Sequence, residues 1–361
     1  MFFGSMASLA KTLIVKAVTL IIVLIGVLFL LAIIMGATGL SDKVLNSTLT
    51  AEVQEYKQQL SRQIKDPTVL ERAVEEYKKE RAAALGLDKP WYVRLPQLIY
   101  RLLFLDLGYS RTLQSSWGSN KISDLIIDRL PNTIILTTTG ILFTSLVGIW
   151  MGLYIGSNIG SRSDRVVSIS SAASYALPLW FTGLVLILAL AYGPKVLWGV
   201  QIFPPGGMVS VPPPKEPLAY ALDLLWHLAL PLMASFIVFF GSWAYTTRNI
   251  VFNVSQEDFV NFARAKGLPE GVVRSRYILR PSLPPILTNL ILSLAYSISG
   301  YIITERVFNW PGMGSLYYQA ITALDEPVIF ALTYVFTLVY IVARFILEVL
   351  YVVVDPRIRL S

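Results

Sequence analysis

Cysteine is absent from this 361-residue chain, and histidine occurs once, at His227. The first absence excludes disulfides, thiolate metal sites and cysteine nucleophiles, and the second excludes a multi-histidine metal centre. Charge is scarce as well. Charged residues make up 15% of the chain and hydrophobic ones 55%, with a mean hydropathy of +0.60, against about 25% and 45–50% in an ordinary soluble domain. That balance argues against a water-soluble globular enzyme. The net charge of +7 would raise nucleic acid as a partner, but the basic residues are gathered in loops between apolar runs and read as a topological signal instead.

Several chemical motifs are missing too. No Gly-x-x-x-x-Gly-Lys-Ser/Thr loop is present to cradle nucleotide phosphates, and neither His-Glu-x-x-His nor Gly-x-Ser-x-Gly occurs. A membrane-embedded hydrolase would have to use His227, which sits beside Trp226 near the end of an apolar run and reads as an interfacial histidine. An ion-coupled carrier or channel places ionisable groups within its spans. Here the middle of every apolar run is uncharged, and Arg344 and Glu348 near one end read as a locally neutralised pair. Energy for transport must come from elsewhere.

What the sequence does have is long apolar runs. Residues 17–41 are all uncharged, and at 1.5 Å per residue those 25 positions reach roughly 37 Å, against about 30 Å of hydrocarbon. A secretory signal core is only about 7–15 residues, so this is read as a retained first span. Further runs at 132–156, 166–192, 224–247, 283–304 and 327–353 bring the count to six. Segment 42–129 breaks the rhythm: it holds 14 of the 30 basic and 12 of the 23 acidic residues and no spanning run. Within it Leu49, Val53, Tyr56, Leu60 and Ile64 recur at helical spacing, and Val69 to Ala84 predicts a second helix that Gly86 stops.

Short loops set the orientation. Arg248, Arg264, Lys266, Arg274, Arg276 and Arg280 lie in one, Arg162 and Arg165 in another, while the alternate loops 193–222 and 305–326 hold only Lys195, Lys215 and Arg306. The basic loops are expected inside, with both termini, and 42–129 outside in a cell-membrane, multi-pass protein. The sequon Asn46-Ser47-Thr48 falls in the outer segment. Three regions follow: a first span at 1–41, a mostly helical extracytoplasmic insertion at 42–129 and a five-span core at 130–361.

The segment from Gln256 to Pro281 carries the most information. Asp258 at its start and Arg264 and Lys266 near Gly267 suit the dipole of a short helix capped by that glycine. Phe259, Phe262 and the small Ala263 can offer an apolar knob to a cleft in another protein; a basic amphipathic helix lying on the membrane is the other reading.

Here the chain resembles the inner-membrane permease subunits of ABC importers, and among them the B-type subunit of the dipeptide/oligopeptide family. Ala263-Arg264-Ala265-Lys266-Gly267-Leu268 with Arg280-Pro281 is similar to the family's ATPase-docking loop. Leu85-Gly86-Leu87-Asp88-Lys89-Pro90, Asp106-Leu107-Gly108, Arg129-Leu130-Pro131-Asn132-Thr133, Asp164-Arg165, Leu228-Ala229-Leu230-Pro231, the run from Thr304 to Gly314 and Asp355-Pro356-Arg357-Ile358-Arg359 resemble its signatures in order. Asn261 and Phe262 depart from the Glu and Ala that precede Ala263 in the general motif. The Pro-Gly-Asp-Pro-like turn after the first span is absent.

The resemblance implies an all-α integral membrane protein with six transmembrane helices in the type I ABC importer permease fold, itself non-catalytic. It binds no cofactor, ATP and Mg being bound by partner ATPases. The implied partners are a second, C-type permease, two ABC ATPases, an extracytoplasmic solute-binding protein and the lipid bilayer, with no nucleic acid and no metal. It implies ATPase coupling at about 250–282, through Asp258, Phe259, Phe262, Ala263, Arg264, Ala265, Lys266, Gly267 and Arg280. For the translocation pathway, Ser293, Ser297, Tyr301 and Thr304 form a polar stripe at intervals of three and four, read equally as a water-lined route or as helix packing. Ser170 and Ser174, one turn apart, read as packing. Trp91, Trp117, Trp198 and Trp310 read as interfacial anchors. Peptide and oligosaccharide substrates both stay open.

Overall fold

The computed structural model describes residues 2–297 and 301–354, leaving aside the side chains at 2–13, 40, 41, 44, 94, 95, 97, 98, 295–297, 347, 348 and 350–354. Helices make up nearly all of its regular structure: α1 (Phe2–Ala37), α2 (Leu40–Ser61), α3 (Pro67–Ala84), α4 (Trp91–Leu103), α5 (Ile122–Gly156), α6 (Arg162–Tyr175), α7 (Leu179–Trp198), α8 (Pro217–Ser255), α9 (Asp258–Ala265), α10 (Arg280–Ser297), α11 (Ile302–Val307), α12 (Met313–Thr322) and α13 (Glu326–Val354). α5 and α7 each contain a π-helical stretch, and another, Val273–Leu279, leads into α10.

Among the described residues five helices are long and apolar enough to span: Ile14–Ala37, α5, α7, α8 and the Glu326–Ile346 part of α13. The run expected at 283–304 forms α10, which carries Pro284 and Pro285, followed by α11; residues 298–300 between them lie outside the described set. The run expected at 166–192 is not one helix. α6 ends at Tyr175 and α7 starts after Pro178, which lacks a backbone N–H and disfavours a helical residue before it.

The chain divides into two compact units. The first holds residues 1–125 and 320–341. In it α2 and α3 pair as a helical hairpin: the Tyr56 and Tyr77 rings stack at 4.0 Å and Arg81 donates twice to Glu52, at 2.8 Å each. α3 starts where expected because the Asp66 carboxylate caps the Thr68 N–H and Pro67 occupies the first turn. Gly86 ends the segment at φ +71°. α1 packs on α4, where the Trp91 indole covers Gly36 so closely that a β-carbon there would collide with the ring. In the same unit Asp325, fully buried, accepts from the Ser110 hydroxyl at 2.7 Å and from the Arg111 and Thr112 N–H groups at 2.9 Å.

The second unit holds residues 126–319 and 342–354. Its frame is the long contact between α5 and α8. Gly148, Gly152 and Gly156 recur every fourth residue along α5, and each meets α8 backbone or side chain where a β-carbon would stand. Such small residues let membrane helices approach closely. α6 meets α8 the same way, with Gly241 against Ser171 and Ser174. Ser174 therefore packs as expected; its turn-mate is Ser171, since Ser170 is exposed. Ile187 and Ala191 of α7, Leu230 and Ala234 of α8 and Phe308 close a second core cluster.

An ion pair fixes one corner of this frame. Ser161 caps α6 through the Asp164 N–H, and the Asp164 carboxylate receives both Nε and Nη2 of Arg248, 84 residues later, at 2.9 Å each. The Arg248 hydrogen bonds hold the Asp164 carboxyl below its ordinary value of 3.8, against burial, which raises it. A carboxylate whose pKa falls on folding contributes stability above its unfolded value and loses it as pH drops through the folded one. The clamp is therefore expected to persist above 3.8 and to fail in more acidic solution. Asp164→Asn, which leaves a half-buried guanidinium without its anion, is expected to cost about 3 kcal/mol and to abolish that acid dependence, read by thermal unfolding in detergent across pH.

Candidate functional site

α9 begins after the extended residue Glu257, with Asp258 in its first turn and Arg264 in its last. One face is buried in its own chain: Val260 and Ala263 are 0% and 2% exposed and pack with Val251, Val273 and Ile278. The other face is bare. Phe259 and Phe262 are 43% and 61% exposed, and Asp258, Ala265 and Lys266 are exposed beside them. Ala263 was expected on the outward knob; eight residues of helix set it one position past Phe262 and so on the inner face with Val260, three residues before it. It positions the aromatics from beneath.

The helix stops by a left-handed glycine cap. Gly267 stands at φ +74°, its N–H donates to the Arg264 carbonyl at 2.9 Å and the Leu268 N–H to that of Ala263 at 3.4 Å. Open space surrounds Gly267. Lys266 Nζ lies 4.5 Å over the Phe262 ring, and Arg264 pairs with Glu270 at 3.1 Å. The wide turn Val273–Leu279 then carries Arg274 and Arg276 into Arg280, which is exposed at the start of α10. The segment is a short shelf: anchored by an apolar underside, aromatic on top and basic at its far end.

The expected pathway residues separate. Ser293 and Tyr301 line a cavity of about 440 Å³ together with Asn289, Thr144 of α5 and Ser242 and Thr246 of α8. The Tyr301 ring stacks on Phe239 at 5.8 Å. Ser297 lies outside the described side chains. Thr304 is 4% exposed and does not line the cavity. The stripe breaks because Tyr301 has a non-helical backbone, φ −104° and ψ 84°, so spacing of three no longer keeps residues on one face. Asn289 is one turn before Ser293, and Ser242 and Thr246 are one turn apart on α8; the same periodicity applied to those stretches would have found them.

Two other sequence features resolve here. Trp310, expected as an anchor, is fully buried, and its indole N–H donates to the Asn132 carbonyl at 2.8 Å. Around it, the Thr133 hydroxyl donates to Glu305 at 2.8 Å and receives the Met313 N–H at 2.6 Å, Asn132 donates to the Pro311 carbonyl, and the Ser315 N–H donates to Glu305. The 129–133 and 304–314 signatures are thus two halves of one cluster. His227 is buried, its Nδ1 donating to the Asp223 carbonyl at 2.8 Å, while the Ser210 hydroxyl donates to the Asp223 carboxylate at 2.7 Å. Ser210 and His227 both turn to Asp223, and no nucleophile is hydrogen-bonded to the imidazole among the described residues.

Residues 128–360 match the family model described as binding-protein-dependent transport system inner membrane component. Curated relatives agree. The chain is 32% identical over 290 residues to the probable D,D-dipeptide transport system permease protein DdpB of Escherichia coli (strain K12), covering 76% of this chain and 82% of that one. It is 31% identical over 287 residues to the di/tripeptide transport system permease protein DppB of Pseudomonas aeruginosa (strain UCBPP-PA14), with 76% and 83% covered. With the oligopeptide transport system permease protein AppB of Bacillus subtilis (strain 168) it shares 29% identity over 274 residues, with 76% and 82% covered.

Proposed function

Because the chain belongs to the binding-protein-dependent transport system inner membrane components, and is a multi-pass, non-catalytic permease subunit of an ABC importer, we propose that it couples to its ATPase through the outer face of α9 and passes peptides delivered by an extracytoplasmic binding protein. Membership implies ATPase, permease and solute-binding partners. In the arrangement proposed, two permease chains, this one and a C-type subunit, stand on two ATPases that bind ATP and Mg, with the loop at about 250–282 and both termini inside and 42–129 outside. That the three relatives are permeases of oligopeptide, D,D-dipeptide and di/tripeptide transport systems supports peptides over oligosaccharides.

The observation that carries the coupling claim is the two-sidedness of α9: Val260 and Ala263 fix it to α8 while Phe259 and Phe262 stay exposed. Closure of the ATPase dimer on nucleotide would move that shelf, and α8 and α10 with it, switching the spans between inward-facing and outward-facing states. The cavity under Asn289, Ser293 and Tyr301 supports a route through this subunit along α10.

Gly267→Glu tests the docking role. Open space surrounds the site, so the folding cost is confined to the left-handed backbone, about 1–2 kcal/mol. Membrane levels are expected to hold while ATPase co-purification and peptide uptake fall together. Unchanged values for both would contradict docking at α9.

A further inference from the structure

A groove of about 470 Å³ opens where α5 ends and α6 begins, walled by Trp150, Met151 and Tyr154 on one side and Arg162, Val166 and Val167 on the other. Trp150, Tyr154 and Val166 are 66%, 48% and 62% exposed. Nothing in the coupling or pathway reading uses it. We propose that this groove binds one anionic phospholipid, its phosphate on Arg162 and Ser163 and an acyl chain along Trp150, Met151 and Val166.

Charge is the first reason. Arg162 is exposed and the groove lining contains no acidic residue. The adjacent carboxylate, Asp164, is already committed: it takes both Arg248 nitrogens and the Gly160 N–H. Arg165 follows one turn-step later and adds positive charge. The Ser163 hydroxyl, also in the lining, supplies a donor for a phosphate oxygen.

Depth is the second. α5 leaves the spanning region at Gly156. At 1.5 Å per residue Tyr154 lies about 3 Å and Trp150 about 9 Å below that end, which is the reach from a headgroup into the first part of the acyl region. Amphipathic aromatic rings favour that level. A guanidinium at the mouth and an apolar, aromatic wall beneath it match an anionic lipid better than a neighbouring helix, which would have to bring an acid to Arg162. The leaflet, the inner one, rests on the orientation proposed above; the preference for anionic lipid does not.

The test uses the purified full transporter in nanodiscs of phosphatidylcholine with and without phosphatidylglycerol. Native mass spectrometry is expected to show phosphatidylglycerol retained on wild type and retained about fivefold more weakly on Arg162→Gln, the effect of one basic residue near an anionic surface. Brominated phosphatidylglycerol is expected to quench tryptophan emission more than brominated phosphatidylcholine, and Trp150→Phe to remove that difference. Equal retention of the two lipids by wild type, or equal quenching, would overturn the proposal even if Arg162→Gln fails to accumulate. So would a photo-crosslinker at Val166 that captures another subunit and no lipid. Lipid selectivity with an outward-facing groove would overturn only the orientation.

Discussion

Gly152→Leu is expected to remove most of the folded protein from the membrane. A β-carbon at this position would stand 2.6 Å from the Ala244 carbonyl oxygen of α8, a backbone atom that cannot move aside as a flexible side chain would. The rest of a leucine then has no room, and separating α5 from α8 also opens the neighbouring contacts of Gly148 and Gly156. Overpacking of a rigid site costs about 3 kcal/mol or more, a large share of a total stability of about 5–15 kcal/mol. Detergent-extracted yield and thermal unfolding read the effect, and Gly26→Leu is the control: nothing stands within 4 Å of that glycine's missing β-carbon, so its yield is expected to hold.

Replacing both Phe259 and Phe262 with aspartate is expected to act in the opposite way, sparing the fold and removing the partner. Phe259 and Phe262 are 43% and 61% exposed, and the Lys266 contact that Phe262 loses is worth about 0.5–1 kcal/mol at a surface site. An aromatic anchor at a protein interface carries 2 kcal/mol or more, about 30-fold in affinity. The double variant is therefore expected to reach the membrane at wild-type levels and to lose ATPase co-purification and uptake. Val260→Asp would do the reverse: it charges the buried underside and unfolds the shelf.

Features set by local spacing were legible in the sequence. The apolar runs at 17–41, 132–156, 224–247 and 327–353 fall on helices long and apolar enough to span, Val69 to Ala84 marked α3 to within two residues, and Gly267 marked the end of α9 because a helix that stops abruptly needs a left-handed residue. What failed depends on partners far along the chain. Asp164 and Arg248 are 84 residues apart, and neither residue alone indicates the other. Trp310 carries the same letters whether it anchors at an interface or fills a core; only the Asn132 carbonyl meeting its N–H decides. The run at 166–192 is apolar enough to look continuous, and the proline at 178 divides it. Ala263 was legible as part of the short helix that Gly267 ends, but which face it occupies required knowing that α9 packs on Val251 and Val273.

The last point bears on mechanism. If force passes from ATPase to permease at α9, its route into the spans is the cluster of Val251, Val260, Ala263, Val273 and Ile278, which joins the shelf to the end of α8 and to the turn that leads into α10. α8 and α10 are also two of the helices whose side chains line the cavity at Ser242, Thr246, Asn289 and Ser293. Motion of the shelf as a rigid piece would thus reach the cavity wall through packed side chains without a hinge inside α9.

The most direct measurement is a photo-crosslinking amino acid at position 262 of the assembled transporter in native membranes, irradiated with and without a non-hydrolysable ATP analogue. The expected product joins this chain to an ATPase subunit, with a yield that changes with nucleotide. Crosslinks to lipid alone, or to the extracytoplasmic binding protein, would contradict ATPase coupling through the exposed face of α9.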